Sequence, residues 1–217
     1  MVMTSPATQL RIDVGDVSLV VPTDAQLAVL ARQAATPGAV LPENQTHYVK
    51  WIDGRSPEVI EQQRIDRVRT NRDLTTGPGW TLDLAIVVGG RPVGLQSLSG
   101  FEQWPQRRVV GTTSWLITPY QRRGLGTAAR AGVLELAFAN LRAEKARSWA
   151  LEENVASTTV SARLGYRLVG AEVIVEHGRQ LTEKVYELCA EEWAKSTVRL
   201  RLNPVVTGAE SLARAVG

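Results

Sequence analysis

The chain has 217 residues, 44% hydrophobic and 22% charged, a balance that builds one packed domain and excludes a disordered tail, a collagen-like repeat or a coiled coil. No run approaches the roughly 20 apolar residues of a membrane span, and the N-terminus lacks the basic-then-apolar pattern of a secretory signal, so a cytoplasmic location away from membranes is expected. The formal charge of +3 is too small and too dispersed to argue for nucleic acid, and one cysteine, Cys189, beside two histidines, His47 and His177, gives no ground to expect a disulfide or a metal.

In chain order, Leu10 to Ile12 and Val17 to Val21 read as a short hairpin. Pro22-Thr23-Asp24 opens a helix with Leu27, Leu30 and Ala31 at helical spacing, and Pro37 ends it. Ser56-Pro57-Glu58 opens a second helix, because serine caps and proline fits the first turn. Val59, Ile60, Ile65 and Val68 mark its apolar side, and the face bearing Arg64, Arg67, Arg69 and Arg72 reads as solvated. Gly77-Pro78-Gly79 breaks the chain before three consecutive strands: Trp80 to Val88, Pro92 to Ser99 after the Gly89-Gly90 turn, and Val109 to Ile117. The pattern then changes to helix Thr127 to Leu141, strand Arg147 to Leu151, helix Val155 to Leu164, strand Tyr166 to Val175, a turn at His177-Gly178-Arg179, and strand Gln180 to Leu188. A meander followed by a strand–helix–strand crossover requires one parallel pair inside a mixed sheet. Thr197 to Leu202 alternates polar and apolar residues and reads as a further strand, able to pair with an edge of its own chain or of a second copy in a homodimer. A short amphipathic end containing Leu212 follows.

The chemistry concentrates in Trp115-Leu-Ile-Thr-Pro-Tyr-Gln-Arg-Arg-Gly-Leu-Gly-Thr127, where a strand ends, a turn rich in arginine and glycine follows and a helix begins. Gly124 and Gly126 let the backbone turn tightly and approach a ligand. The first-turn N–H groups have no partner inside the helix, and the helix dipole adds partial positive charge there. Together they make an anion site suited to a pyrophosphate. Arg122 and Arg123 add two cations and Thr127 a hydroxyl. The helix behind carries the stripe Ala131, Leu134, Phe138 and Leu141, which packs it on the sheet and holds the amides in place. A nucleotide P-loop is disfavoured because no Lys-Ser/Thr pair follows the second glycine, and a dinucleotide fingerprint because the third glycine is missing.

A second stretch runs Glu153-Asn-Val-Ala-Ser-Thr-Thr-Val-Ser-Ala-Arg-Leu-Gly-Tyr166. Asn154 is placed to cap a helix that Gly165 ends. With Gln121-Arg-Arg-Gly-Leu-Gly126, the chain resembles the GNAT N-acyltransferases, whose signature is Gln/Arg-x-x-Gly-x-Gly/Ala. Asn154-x-x-Ser157 and Leu164-Gly-Tyr166 fit the same superfamily. Trp80-Thr-Leu-Asp-Leu-Ala85, Gly94-Leu-Gln-Ser-Leu98, Ser114-Trp-Leu116 and Tyr120-Gln121 are similar to the branch that acetylates ribosomal-protein N-termini, and within it to a subgroup with a member that binds succinyl-CoA. The likeness covers about Val17 to Trp193.

The resemblance implies the GNAT fold, an α/β (α+β) arrangement with a mixed, mostly antiparallel sheet, a parallel crossover and helices on both faces. Residues 1–193 would form the acyltransferase domain and 194–217 a C-terminal strand extension of it. It implies acetyl-CoA or another acyl-CoA as co-substrate and no metal. Ser114, Trp115, Leu116 and Ile117 would offer backbone hydrogen bonds to the pantetheine arm. Gln121, Arg122, Arg123, Gly124, Leu125, Gly126 and Thr127 would cradle the pyrophosphate, and Asn154 and Ser157 would line the arm. Where relatives carry a catalytic glutamate this chain has Thr112, and the usual tyrosine acid falls on Ser161. Ser157 is the alternative acid and Glu102 a possible base. His47, Tyr48 and Trp51, between the first two helices, and Gln96 would shape the acceptor site; a neutral histidine can also act as base near pH 7. Trp104 with Arg107 and Arg108 reads as a loop over the acceptor or toward solvent.

Two functions compete. The first is direct acyl transfer from acetyl-CoA, or secondly succinyl-CoA, to the primary amine of a protein N-terminus or small molecule. The second is a GNAT-like module that binds acyl-CoA as a sensor or scaffold with little turnover.

Overall fold

Short loops dictate the antiparallel half of the sheet. Strands β1 (Arg11–Val14) and β2 (Val17–Val20) pair across a tight turn, and β3 (Thr81–Val88) joins β4 (Arg91–Gly100) through Gly89 and Gly90. Both glycines have positive φ, 56° and 77°, the backbone that a two-residue hairpin with native twist demands. β4 pairs in turn with β5 (Val109–Leu116). The computed structural model describes residues 5–49, 51–72, 79–101, 103–104, 106–176 and 178–217. Gly77 and Pro78 of the expected chain break, and His177 of the expected turn, lie outside them.

Helix α1 (Asp24–Ala35) starts at a capping box in which Thr23 accepts from Gln26 N and the Gln26 side chain accepts from Thr23 N. Helix α2 (Pro57–Asn71) starts at Ser56, with Pro57 in its first turn. Beyond β5, helix α3 (Leu125–Glu135) runs on through a π turn at Leu136–Asn140 into β6 (Lys145–Leu151). Helix α4 (Val155–Arg163), β7 (Arg167–Glu176) and β8 (Arg179–Cys189) complete the crossover half. Among the described residues the sheet has nine strands, the last being β9 (Val205–Thr207), in the order β7-β8-β6-β5-β4-β3-β2-β1-β9, and its one parallel pair is β5 with β6.

Alternate residues of β3 separate two cores. Leu82, Leu84 and Ile86 join the main cluster with Ala129, Val133 and Leu134 of α3. Ala85 and Leu95 pack with Leu27, Leu30 and Val68 of α1 and α2. Helices therefore cover both faces. A fully buried side chain such as Leu134 stabilises the fold by roughly 1.5–3 kcal/mol.

The C-terminal segment departs from expectation. Thr197–Leu202 is a helix, α6, after a short α5 (Ala190–Ala194); the strand is β9 (Val205–Thr207), and α7 (Glu210–Val216) ends the chain. In α6 Ser196 accepts from Arg199 N, Val198 and Leu202 meet the core one turn apart, and Asn203 stops the helix at φ 44°. Arg199 grips Glu135 through two bonds of 2.7 Å, which a strand's alternation would not supply. β9 pairs with β1, so the tail closes an edge of its own chain's sheet. Leu212 is fully buried.

Candidate functional site

The parallel pairing of β5 and β6 stops early. It joins Val109, Val110 and Gly111 to Lys145, Ala146 and Arg147, yet β5 continues to Leu116 and β6 to Leu151. The strands part in a V that is closed at Gly111 and open at Leu116. Among the described residues the edge of β5 facing the V has no strand partner from Thr112 to Leu116, so its backbone groups can bond an extended ligand. Ser114 is exposed, and Trp115, Leu116 and Ile117 are half-buried.

At the open end stands the glycine turn. Gly124 is the N-cap of α3 at φ 82°, with nothing within 4 Å of where a Cβ would stand. No side chain caps the helix, so the first-turn N–H groups of Leu125, Gly126 and Thr127 face outward. Arg122 and Arg123 are exposed, and among the described residues neither is paired with a carboxylate; the Arg123 guanidinium lies 5.4 Å from the Tyr120 ring centre. Two free cations beside uncapped amides fit a diphosphate. Gln121 works differently from expectation: its Nε2 donates to Val40 O at 2.5 Å and Leu116 O at 2.8 Å. With Thr118 Oγ1 donating to Ala39 O at 2.9 Å, it ties the segment after α1 to the end of β5.

The other wall is α4. Asn154 Oδ1 accepts from Ser157 N at 3.1 Å, which caps the helix and leaves the amide NH2 for a ligand. Ser157 is half-buried; Ser161, one turn further on, is fully buried. Ser161 is thus enclosed rather than exposed in the V, because Arg130 Nη1 donates to its Oγ at 3.0 Å. Tyr166, 6% exposed, meets Thr112 Oγ1 at 3.4 Å, and burial pushes its phenol pKa up.

On the α1–α2 face a 3-10 turn (Glu43–Tyr48) reaches across to the open end, where His47 Nε2 lies 3.8 Å from Glu153 Oε2. The Trp51 ring centre is 5.7 Å from that of Trp115 and 4.3 Å from the Arg64 guanidinium. Arg64 corrects the reading of the α2 arginine face as solvated: it is 8% exposed, and burial pushes its pKa down to about 10, still cationic at neutral pH. Nearby, buried Asp83 accepts from Asn71 Nδ2 at 2.7 Å and from the Ser97 hydroxyl. A cavity of about 330 Å³ lies between the end of α1 and the start of α2, lined by Ala35, Val40, Leu41, Glu43, Ile52 and Ile60 among others.

Other expected site residues land elsewhere. Gln96 is fully buried, its Nε2 held by Ser97 O and Thr113 O, so it shapes the β4–β5 pair and does not face an acceptor. Trp104 is not a cover: it is 9% exposed, stands edge-on to Trp80 at 5.5 Å and donates through Nε1 to Val216 O. Glu102 lies outside the described residues, as does the side chain of Tyr48. Register shifts occur in β3–β4 and β7–β8, while β5 pairs with β4 without one. Sequence reasoning missed Arg130, although a lone arginine in the run Ala128-Ala-Arg-Ala-Gly-Val133 was a readable sign. Among the described residues no cluster of metal-ligating side chains occurs, and no helix is long and apolar enough to cross a membrane.

Comparison with known proteins agrees with this geometry. The acetyltransferase (GNAT) domain family matches residues 21–167. Among solved structures, Mycobacterium smegmatis RimJ in complex with CoA-disulfide superposes with a TM-score of 0.69 at 18% identity, over 98% of this chain and 97% of that one. A GCN5-related N-acetyltransferase from Brucella melitensis gives 0.69 at 17% identity, over 85% and 80%. Ribosomal-protein-S5-alanine acetyltransferase from Vibrio fischeri gives 0.63 at 16% identity, over 84% and 98%. These likenesses speak to the fold, whereas the family match takes in both arms of the V and the turn between them; on that ground the chain belongs to the acetyltransferase (GNAT) family.

Proposed function

We propose that the chain transfers an acetyl group from acetyl-CoA directly to the primary amine of a protein N-terminus, with succinyl-CoA as the second donor to test. The observation that carries this reading is the V itself, open between β5 and β6 and ending at an uncapped, arginine-flanked helix N-terminus. The protein-N-terminus acceptor draws on the resemblance to the ribosomal-protein branch and on the described activity of the Vibrio fischeri neighbour.

The thioester supplies an activated acyl carbon and a thiolate leaving group. The chain's own residues then divide the work. Arg122, Arg123 and the amides of Gly124 to Thr127 hold the diphosphate. The free edge of β5 bonds the pantetheine amides and, deeper in, an N–H there steadies the negative charge that grows on the carbonyl oxygen. The Asn154 amide and the Ser157 hydroxyl line the opposite side. On the acceptor side the 3-10 turn forms the wall, and His47 is the group there that can take the proton the amine gives up. Holding amine and thioester together supplies much of the rate.

Calorimetric titration with CoA, and release of free thiol from acetyl-CoA in the presence of peptides with varied N-termini, test the reading. Binding together with peptide-dependent thiol release is expected. Binding with no release across the panel would leave the acyl-CoA-binding module in its place, and no binding would remove both.

A further inference from the structure

We propose that Arg64 of α2 holds a carboxylate of the acceptor, so that the favoured substrates are protein N-termini with an acidic side chain in their first two residues. The proposal rests on the acyl transfer in the V proposed above and names which amine it takes.

The position comes first. Ile60, Arg64 and Val68 stand at successive turns of α2 and form its inward stripe, all three buried. Asp83, Ser97 and Thr113 lie side by side across β3, β4 and β5, and Ala85, Leu95 and Trp115 form the next row toward the open end of the V. Ala85 and Leu95 pack on α1 and α2, so the side chains of both rows leave the sheet on that face. Arg64 stands over these rows: its guanidinium is 4.3 Å from the centre of the Trp51 ring, Trp51 packs on Trp115, and the charge of Asp83 acts on it. Thr113 shares this face and is nevertheless exposed, so the helices leave an open bay above it, beside the free edge of β5. Phe101 and Trp149 bound the bay toward the closed end, because both stand against Gly111, the next residue of β5 on that face. The rows at Thr113 and Trp115 are about 7 Å apart, a distance that the first two residues of an extended peptide span.

The charge comes next. Arginine is seldom buried unless it is paired, yet among the described residues no carboxylate lies within 4 Å of Arg64 and no group accepts a hydrogen bond from it. Its Nε is sealed off without a partner, whereas the Nη nitrogens, equally unpartnered, stay accessible. The charges that act on it are Arg55, Arg67 and Asp83, so three arginines face one carboxylate. Asp83 is already engaged, accepting from Asn71 and from the Ser97 hydroxyl with Arg67 3.7 Å away. The indole N–H of Trp115, across the Trp51 ring from Arg64, is a second buried donor with no acceptor. A carboxylate in the bay supplies what is missing: two oxygens for the fork of Nη donors and a negative charge for an unpaired cation. The Trp51 ring fixes the plane of that fork. The carboxylate belongs to the acceptor rather than to the donor, because Arg64 stands above the sheet on the α1–α2 side, whereas the acyl arm lies in the plane of the sheet between β5 and β6.

The test is the affinity of the CoA-loaded protein for matched peptides, measured by calorimetry, with thiol release from acetyl-CoA followed in parallel. The peptides differ only in aspartate against asparagine at the first residue, or glutamate against glutamine at the second. At one of these positions the wild type should bind the acidic peptide about tenfold or more tightly than its amide twin, the worth of a charge-assisted hydrogen bond. Arg64→Gln should bring that ratio close to one, and Arg64→Lys should recover part of it. Should Arg64→Gln fail to fold, Thr113→Glu, at an exposed position, tethers a carboxylate in the bay and should abolish the preference in its place. Equal binding of the twins at both positions by the wild type overturns the proposal, and so does a preference that survives in both Arg64→Gln and Thr113→Glu. A selective loss of succinyl-CoA use in Arg64→Gln, with no acidic preference among peptides, gives the arginine to the donor and overturns it too. An Arg64-dependent preference without thiol release from any peptide would leave the carboxylate site standing and refute the acyl transfer instead.

Discussion

Gly124 shows how one residue shapes the proposed diphosphate end of the site. At φ 82° a β-branched side chain costs about 1–3 kcal/mol of local strain, yet the open space around it means that nothing in the core has to move. Gly124→Val should therefore lower CoA affinity at least about tenfold while the circular-dichroism spectrum stays that of the wild type; unchanged affinity by calorimetry would count against the diphosphate position. Asn154 caps α4 and is proposed to meet CoA as well, so Asn154→Ala should show two effects. Loss of the cap costs about 1 kcal/mol, a drop of about 2–4 °C in melting temperature for a chain of this size, and CoA binding should weaken as well. Ser157→Ala, at the open end, should raise the KM for acetyl-CoA more than it lowers kcat, and the reverse split would make Ser157 the acid.

At the scale of elements, the tail after Trp193 is part of the core. Ala209, Leu212 and Val216 are buried in the main cluster, and Val216 O satisfies the buried Trp104 N–H. Truncation after Trp193 should cost on the order of 5 kcal/mol in lost burial, close to the whole stability of a marginal domain, and would bare the β1 edge. Thermal melting of the truncated chain checks this. Glu135 holds α6 and α5 to α3 through Arg199 and Trp193. Burial alone would raise its pKa, but the hydrogen bonds from Arg199 and Trp193 outweigh burial and hold it below the ordinary value. The unfolded chain thus binds the proton first as pH falls. This stabilisation is complete above the ordinary glutamate value of about 4.3 and is lost as pH drops through the lower folded value. Trp193 fluorescence should report an acid release of the tail that is absent in Glu135→Gln; identical profiles would sink the assignment.

Over the whole molecule, sequence and structure agree wherever the deciding interactions are local. The Gly89-Gly90 hairpin, the caps at Thr23, Ser56 and Asn154, the change from meander to crossover, and the glycine–arginine turn all form between near neighbours in the chain. A residue and the few beside it contain that information. The sequence by itself therefore determined the mixed sheet, the position of its parallel pair and the uncapped, arginine-flanked turn at the open end of the V. Alternation misled at Thr197–Leu202, because what favours a helix there is Glu135, more than sixty residues away. Burial of Arg64 against Trp51, of Gln96 between β4 and β5, and of Trp104 under the C-terminus likewise depends on partners distant in sequence. Only the tertiary structure decided that Arg130 and Ser161, on different helices, meet where two strands part, because their contact exists only after α3, β6 and α4 have packed together.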